Sequence, residues 1–221
     1  DLFNLFVFFE VLLAASYGLA LHGSGTRRVS ASLHYIVINL TASLLFLVGV
    51  ALVYGVTGTL NMADLATRLP AVDEADRGLA QAGAAILGVA FLVKAGMWPL
   101  GFWLPGTYAA ASAPAAALFA VLTKVGVYAV LRLSSLFPGG AVDSGLLLGG
   151  GMVTLAFGLA GVLASQSLAR LAGFSLLASS GTLLAVIGMG DARATGAALY
   201  YVVASTLGVS ALFLLIELVE R

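Results

Sequence analysis

Seven stretches of about 20 predominantly apolar residues, separated mostly by short junctions, constrain this chain more than any other feature. Wound as an α-helix, a run of that length spans the hydrocarbon of a bilayer. In lipid every backbone N–H and C=O needs a partner within the protein, so such runs fold as helices packed into a bundle. They fall at 2–21, 33–54, 79–98, 114–136, 144–164, 168–190 and 195–218, the third continuing past Pro99. Composition agrees: 61% of the 221 residues are hydrophobic and 9% charged, where a soluble domain carries about 25% charge. Mean hydropathy is +1.09. The expected fold is all-α and integral to the membrane, a single transmembrane domain over 1–221.

The longest junction, 55–78, reads as a surface loop with an interfacial helix. Asn61 followed by Asp64 has the pattern of a helix cap, and Asp73, Glu74 and Asp76 cluster as at a second helix start. Formal net charge is zero with no basic tract, so no nucleic-acid partner is expected. The absence of cysteine excludes disulfides, iron–sulfur clusters, thiol-linked haem and thiolate zinc on this chain. His22 and His34 flank the first junction without nearby acids, a poor metal site, and no cofactor is expected. The chain opens at Asp1 directly into an apolar run, which suggests a piece of a longer protein. Alternating the junctions between two sides places Arg27, Arg28, Arg170 and Arg221 opposite Arg68, Arg77, Arg132 and Arg193, a balanced count. The compact Arg27–Arg28 pair tips its side toward the cytoplasm. Arg132 and Arg170 stand near span ends and snorkel to the interface.

Charges inside the spans are few and specific. The two lysines, Lys94 and Lys124, both lie within apolar runs, and Glu10 stands midway along the first; Glu217 lies near the end of the last. A central Lys costs roughly 2.5–3.5 kcal/mol on insertion scales, while each Leu or Phe returns only about 0.3–0.6. An ionisable residue kept at that cost marks a functional site with a partner, and Glu10 is the partner expected for Lys94. Pro99 follows in the same run. Its ring removes an N–H and excludes the carbonyl four residues back, that of Ala95, which predicts a broken helix covered by protein or a hydrated cavity. Burial of an ammonium disfavours its charged form, a nearby carboxylate opposes this and a second ammonium favours it. A Lys94 moving between Glu10 and Lys124 would therefore switch its proton affinity. A static ion pair that fixes helix packing is the alternative. Tyr128, one turn beyond Lys124, Ser175, Ser179 and Thr182 on the sixth span, and Tyr201 with Ser205 on the seventh, could continue a proton path, although small hydroxyls often only join helices. Gly145 and Gly149 form a small-xxx-small pair for close packing.

Three segments, DLFNLFVFFE, FLVKAGMWPLGFWLPGTYAAASAPAAALFAVLTKVGVYAVLR and ALYYVVASTLGVSALFLL, resemble the family of antiporter-like membrane subunits found in respiratory complex I and in Mrp-type (Pha, Mnh) sodium/proton antiporters, most closely the D subunits of the Mrp type. The resemblance implies a parent of about fourteen helices built from inverted repeats, a general transporter design, with these seven as the fifth to the eleventh. It pairs Glu10 with Lys94 on the broken helix, makes Lys124 the next station on a central polar axis, and places the first junction in the cytoplasm. Where Ala204 stands, related subunits often carry a histidine, so the onward route would use water or Ser205. The function implied is proton translocation in a multi-subunit Na+/H+ antiporter of the bacterial inner membrane. Its partners would be other antiporter-complex membrane subunits, lipid, protons and Na+. A proton-pumping subunit of an NADH–quinone oxidoreductase-type complex is the alternative, and an inert scaffold the third. No enzyme activity is expected of the chain itself.

Overall fold

The structure, a computed structural model, describes residues 1–23, 25–137 and 141–220, with Glu220 as backbone only; Arg221, assigned above to one membrane side, lies outside the described residues. Helices α1 (Leu2–Leu21), α2 (Thr26–Thr57), α3 (Met62–Arg68), α4 (Glu74–Ala95), α5 (Trp103–Ala110), α6 (Ala113–Leu136), α7 (Ser144–Leu163), α8 (Leu168–Gly188) and α9 (Ala192–Glu220) follow in order. All except α3 and α5 are long and apolar enough to cross a membrane, seven in all, as the apolar runs require. The chain is a multi-pass integral membrane protein.

Ends differ from the hydropathy pattern where polar residues continue a helix beyond the apolar run. α2 extends back to Thr26 and on to Thr57, 32 residues or about 48 Å at 1.5 Å per residue, because nothing in TRRVSAS breaks a helix. Side-chain caps stop several elements. Asp1 accepts from Phe3 N and Asn4 N at the start of α1, Asn61 from Ala63 N and Asp64 N at α3, and Asp143 from Leu146 N at α7. Asp73 stands at the N-cap of α4, with Glu74 and Asp76 in its first turn. The short α3 is tied down by Leu65, which is fully buried in the main apolar cluster.

Short junctions make successive long helices antiparallel neighbours, and α2 packs on α1, α4 and α5, while α6 packs on α4 and α9. The closest pair is α7 with α8. A Cβ on Gly151 would lie 2.3 Å from Ala185 N, one on Gly158 2.6 Å from Ala178 N, and one on Gly181 2.4 Å from Leu155 N. These backbones touch because side chains are missing at the interface. The expected pair Gly145 and Gly149 does not serve there: Gly149 meets nothing within 4 Å and Gly145 only its neighbour Asp143. The small-residue spacing is present on both faces of the helix, and only the position of α8 selects one.

Candidate functional site

The break in the lysine-bearing helix forms earlier than Pro99 requires. α4 ends at Ala95, and Gly96 adopts φ 76°, a left-handed conformation that glycine takes without a Cβ penalty. Gly96 N donates to Val93 O at 3.2 Å and Met97 N to Leu92 O at 3.1 Å, closing the end of the helix. Pro99 therefore lies in the turn that follows, preceded by a cis peptide bond, and does not interrupt a running helix. Trp98 N donates to Thr154 Oγ1 of α7 at 2.9 Å, and that hydroxyl donates to Gly150 O at 2.6 Å. A backbone donor freed at membrane depth is thus satisfied by a buried side chain. The chain resumes as α5, whose far end is held by Arg28 Nε donating to Ala110 O at 2.8 Å.

Lys94 sits in the last turn of α4, 4% exposed. Its Nζ lies 5.0 Å from the centroid of the Phe9 ring, a cation–π contact, and donates to Ser43 Oγ of α2 at 3.3 Å. Ser43 in turn donates to Glu10 Oε1 of α1. Glu10 is half-buried. Among the described residues Glu10 and Lys94 are joined through a bridge and not by direct contact: one serine hydroxyl stands between carboxylate and ammonium. Beside Lys94 lies a cavity of about 20 Å³, whose lining includes Tyr35, Asn39, Tyr108 and Thr123, enough for about one water.

Lys124 is 2% exposed on α6 and donates to Ser179 Oγ of α8 at 2.6 Å. The two lysine-bearing helices meet beside these residues: a Cβ on Gly126 would lie 2.8 Å from both Lys94 C and Ala95 N. Thr123, adjacent to Lys124, shares a 2.7 Å hydrogen bond with Tyr108, which donates to Phe119 O at 2.5 Å. Ser179 is thus brought to Lys124, while Ser175 is half-buried and hydrogen-bonds neither lysine. Thr182 donates to Ala178 O of its own helix. Tyr128 is 50% exposed and Tyr201 39%. Ser205 is half-buried, its hydroxyl directed to Val202 O at 3.4 Å.

Sequence reasoning missed the contribution of α2. Tyr35, Asn39 and Ser43 recur every fourth residue on its buried face, with Tyr35 also bonded to Ser16 of α1 at 2.6 Å. A signal for them exists, because polar residues at helical spacing within an apolar run are the same pattern that α8 and α9 carry. Thr154 has no such pattern, and its role depends on where the break places Trp98.

The family described as NADH:quinone oxidoreductase/Mrp antiporter, TM, matches residues 1–221. The chain belongs to this family. Among curated relatives of this antiporter-like chain, the D subunit of a probable K(+)/H(+) antiporter of Rhizobium meliloti (strain 1021) is 63% identical, over 100% of this chain and 42% of the relative. The D subunit of a Na(+)/H(+) antiporter of Alkalihalophilus pseudofirmus is 40% identical, over 100% of this chain and 45% of the relative. A solved Mrp complex from Dietzia sp. DQ12-45-1b contains a chain of TM-score 0.86 and 32% identity, covering 97% of this chain and 40% of that one. The antiporter-like chain spans less than half the length of the curated relatives it matches.

Proposed function

We propose that this antiporter-like chain carries protons across a bacterial cell membrane as part of a monovalent cation/proton antiporter subunit that works with other membrane subunits. Lys94 is the switching proton carrier, Glu10 its modulating partner and Lys124 the next station. The observation that carries this is the placement of both lysines in the protein interior, 4% and 2% exposed, with Lys94 joined to an intramembrane carboxylate through a hydroxyl. A static pair would need neither the second buried ammonium nor a helix end beside the first. Both relatives named above are D subunits of antiporters, which favours an antiporter over a redox-driven pump. They divide between potassium and sodium, so the cation we favour, Na+, is to be assayed beside K+.

The deciding experiment replaces Lys94 with Ala in the complete subunit within its assembled complex and measures cation-driven proton movement in vesicles. The expected fall is roughly a hundredfold, the lower end of what a positioned proton-transfer group contributes. Unchanged exchange with either cation would reduce Lys94 to a packing residue.

A further inference from the structure

We infer that Ser43 is the proton bridge of the Glu10–Lys94 site, a hydroxyl through which the two charges are created and cancelled together. This rests on the proton-carrier role of Lys94 given above and adds a residue and a step to it. Ser43 is 4% exposed and bonded on both sides: it accepts from Lys94 Nζ at 3.3 Å and donates to Glu10 Oε1. A hydroxyl is the smallest side-chain group that accepts and donates at once. Methyl or amide replacements would not pass a proton along one line.

The step balances within the three residues. Starting from Lys94 ammonium, Ser43 hydroxyl and Glu10 carboxylate, the ammonium gives one proton to Ser43 Oγ as the hydroxyl proton moves to Glu10 Oε1. The products are a neutral amine, an unchanged serine and a neutral carboxylic acid. No net charge moves in or out, and two charges disappear, one of them on the buried Lys94, which a low-dielectric interior favours against the Coulomb attraction that opposes it. The neutral Lys94 is then ready to take a proton from the side of the adjacent cavity. The titratable groups gathered here are Glu10 of α1 and Lys94 of α4 at the hydroxyl itself, Tyr17 of α1 within electrostatic reach of Glu10, and Tyr35 of α2 and Tyr108 of α5 around the cavity.

The placement follows from the fold. Glu10 lies at the middle of α1, and the short junction makes α2 run back beside it, so the middle of α2 meets it at Ser43. α4 packs on the same face of α2 and brings Lys94 to the same oxygen.

The test compares Ser43→Ala and Ser43→Thr in the complete subunit within its assembled complex, reading intact complex in detergent and the rate and pH profile of proton exchange in vesicles. Ser43→Ala is expected to slow exchange about tenfold or more, from loss of a hydrogen bond to charged groups, and to shift its pH profile. Ser43→Thr, which keeps the hydroxyl, is expected to retain the wild-type profile. Wild-type rate and profile in Ser43→Ala overturn the bridge, as does a Ser43→Thr variant as slow as Ser43→Ala, which would mark a steric role. Should Ser43→Ala fail to accumulate, Ser43→Cys provides the same reading with a much weaker hydrogen-bonding group, and a wild-type profile there overturns the bridge. Lys94→Ala run in parallel separates the levels: an inactive Lys94→Ala beside a normal Ser43→Ala removes the bridge alone, whereas an active Lys94→Ala removes the carrier itself.

Discussion

Lys124 and Tyr128 stand four residues apart on α6 and meet opposite environments. Four residues turn a helix by about 40° beyond a full circle, and the buried face of α6 ends within that angle: Leu118, Val121 and Tyr128 are 59%, 45% and 50% exposed. Helical spacing places Tyr128 on the lysine's side of α6, and the structure leaves its ring half exposed there. The hydroxyl that does reach Lys124 comes from another helix, Ser179 at 2.6 Å. Ser179→Ala is expected to lower stability by about 1–3 kcal/mol, since it strips a buried donor of its acceptor, read as the unfolding midpoint in detergent. Tyr128→Phe is expected to leave both that midpoint and vesicle exchange unchanged.

Among the elements, α3 shows how a short helix holds in a loop. Its Arg68 donates through Nε to Asp64 Oδ1 at 2.9 Å, one turn apart, and through Nη1 to Thr57 O at 3.1 Å, which ties α3 back to the end of α2. The Arg68 guanidinium, followed by the Thr59 hydroxyl, holds the Asp64 carboxyl below the usual carboxylate range. A carboxyl depressed by folding stabilises above its unfolded value and loses that contribution as pH falls through its folded value. Amide exchange in α3, corrected for intrinsic rates, is thus expected to stay constant from pH 7 to pH 5 and to quicken below about pH 4, the unfolded carboxylate range. Asp64→Asn is expected to abolish that acid step. The pair is exposed, so the effect stays local and small. The break after α4 follows a different logic. A proline in the sequence announces it, yet a left-handed Gly96 three residues earlier ends the helix, because a glycine that closes the last turn by its own hydrogen bonds leaves the proline nothing to interrupt.

For the molecule as a whole, backbone contact at glycines decides how the helices come together. A Cβ on Gly126 would meet backbone atoms of Lys94 and Ala95 at 2.8 Å, whereas one on Gly149 would meet nothing within 4 Å. Backbone cannot swing aside as a side chain does, so Gly126→Ala is expected to cost about 1–3 kcal/mol and to move Lys94. Gly149→Ala is expected to be neutral or to stabilise by up to about 1 kcal/mol through helix propensity; thermal unfolding of the purified protein separates the two. The same contrast marks what could be known in advance. Seven apolar runs, two lysines and a midspan glutamate within them, and the helix starts at Asn61 and Asp73 are local facts, and local hydrogen bonding with transfer energy suffices to derive seven spans and a charged interior from them. Which faces meet is not local. Ser43 between Glu10 and Lys94, Ser179 under Lys124, and Gly151 rather than Gly149 at the α7–α8 contact follow from the rotation and crossing of helices whose apolar surfaces look alike all round. In lipid no hydrophobic stripe distinguishes an inward face from an outward one, so only the assembled bundle makes that choice.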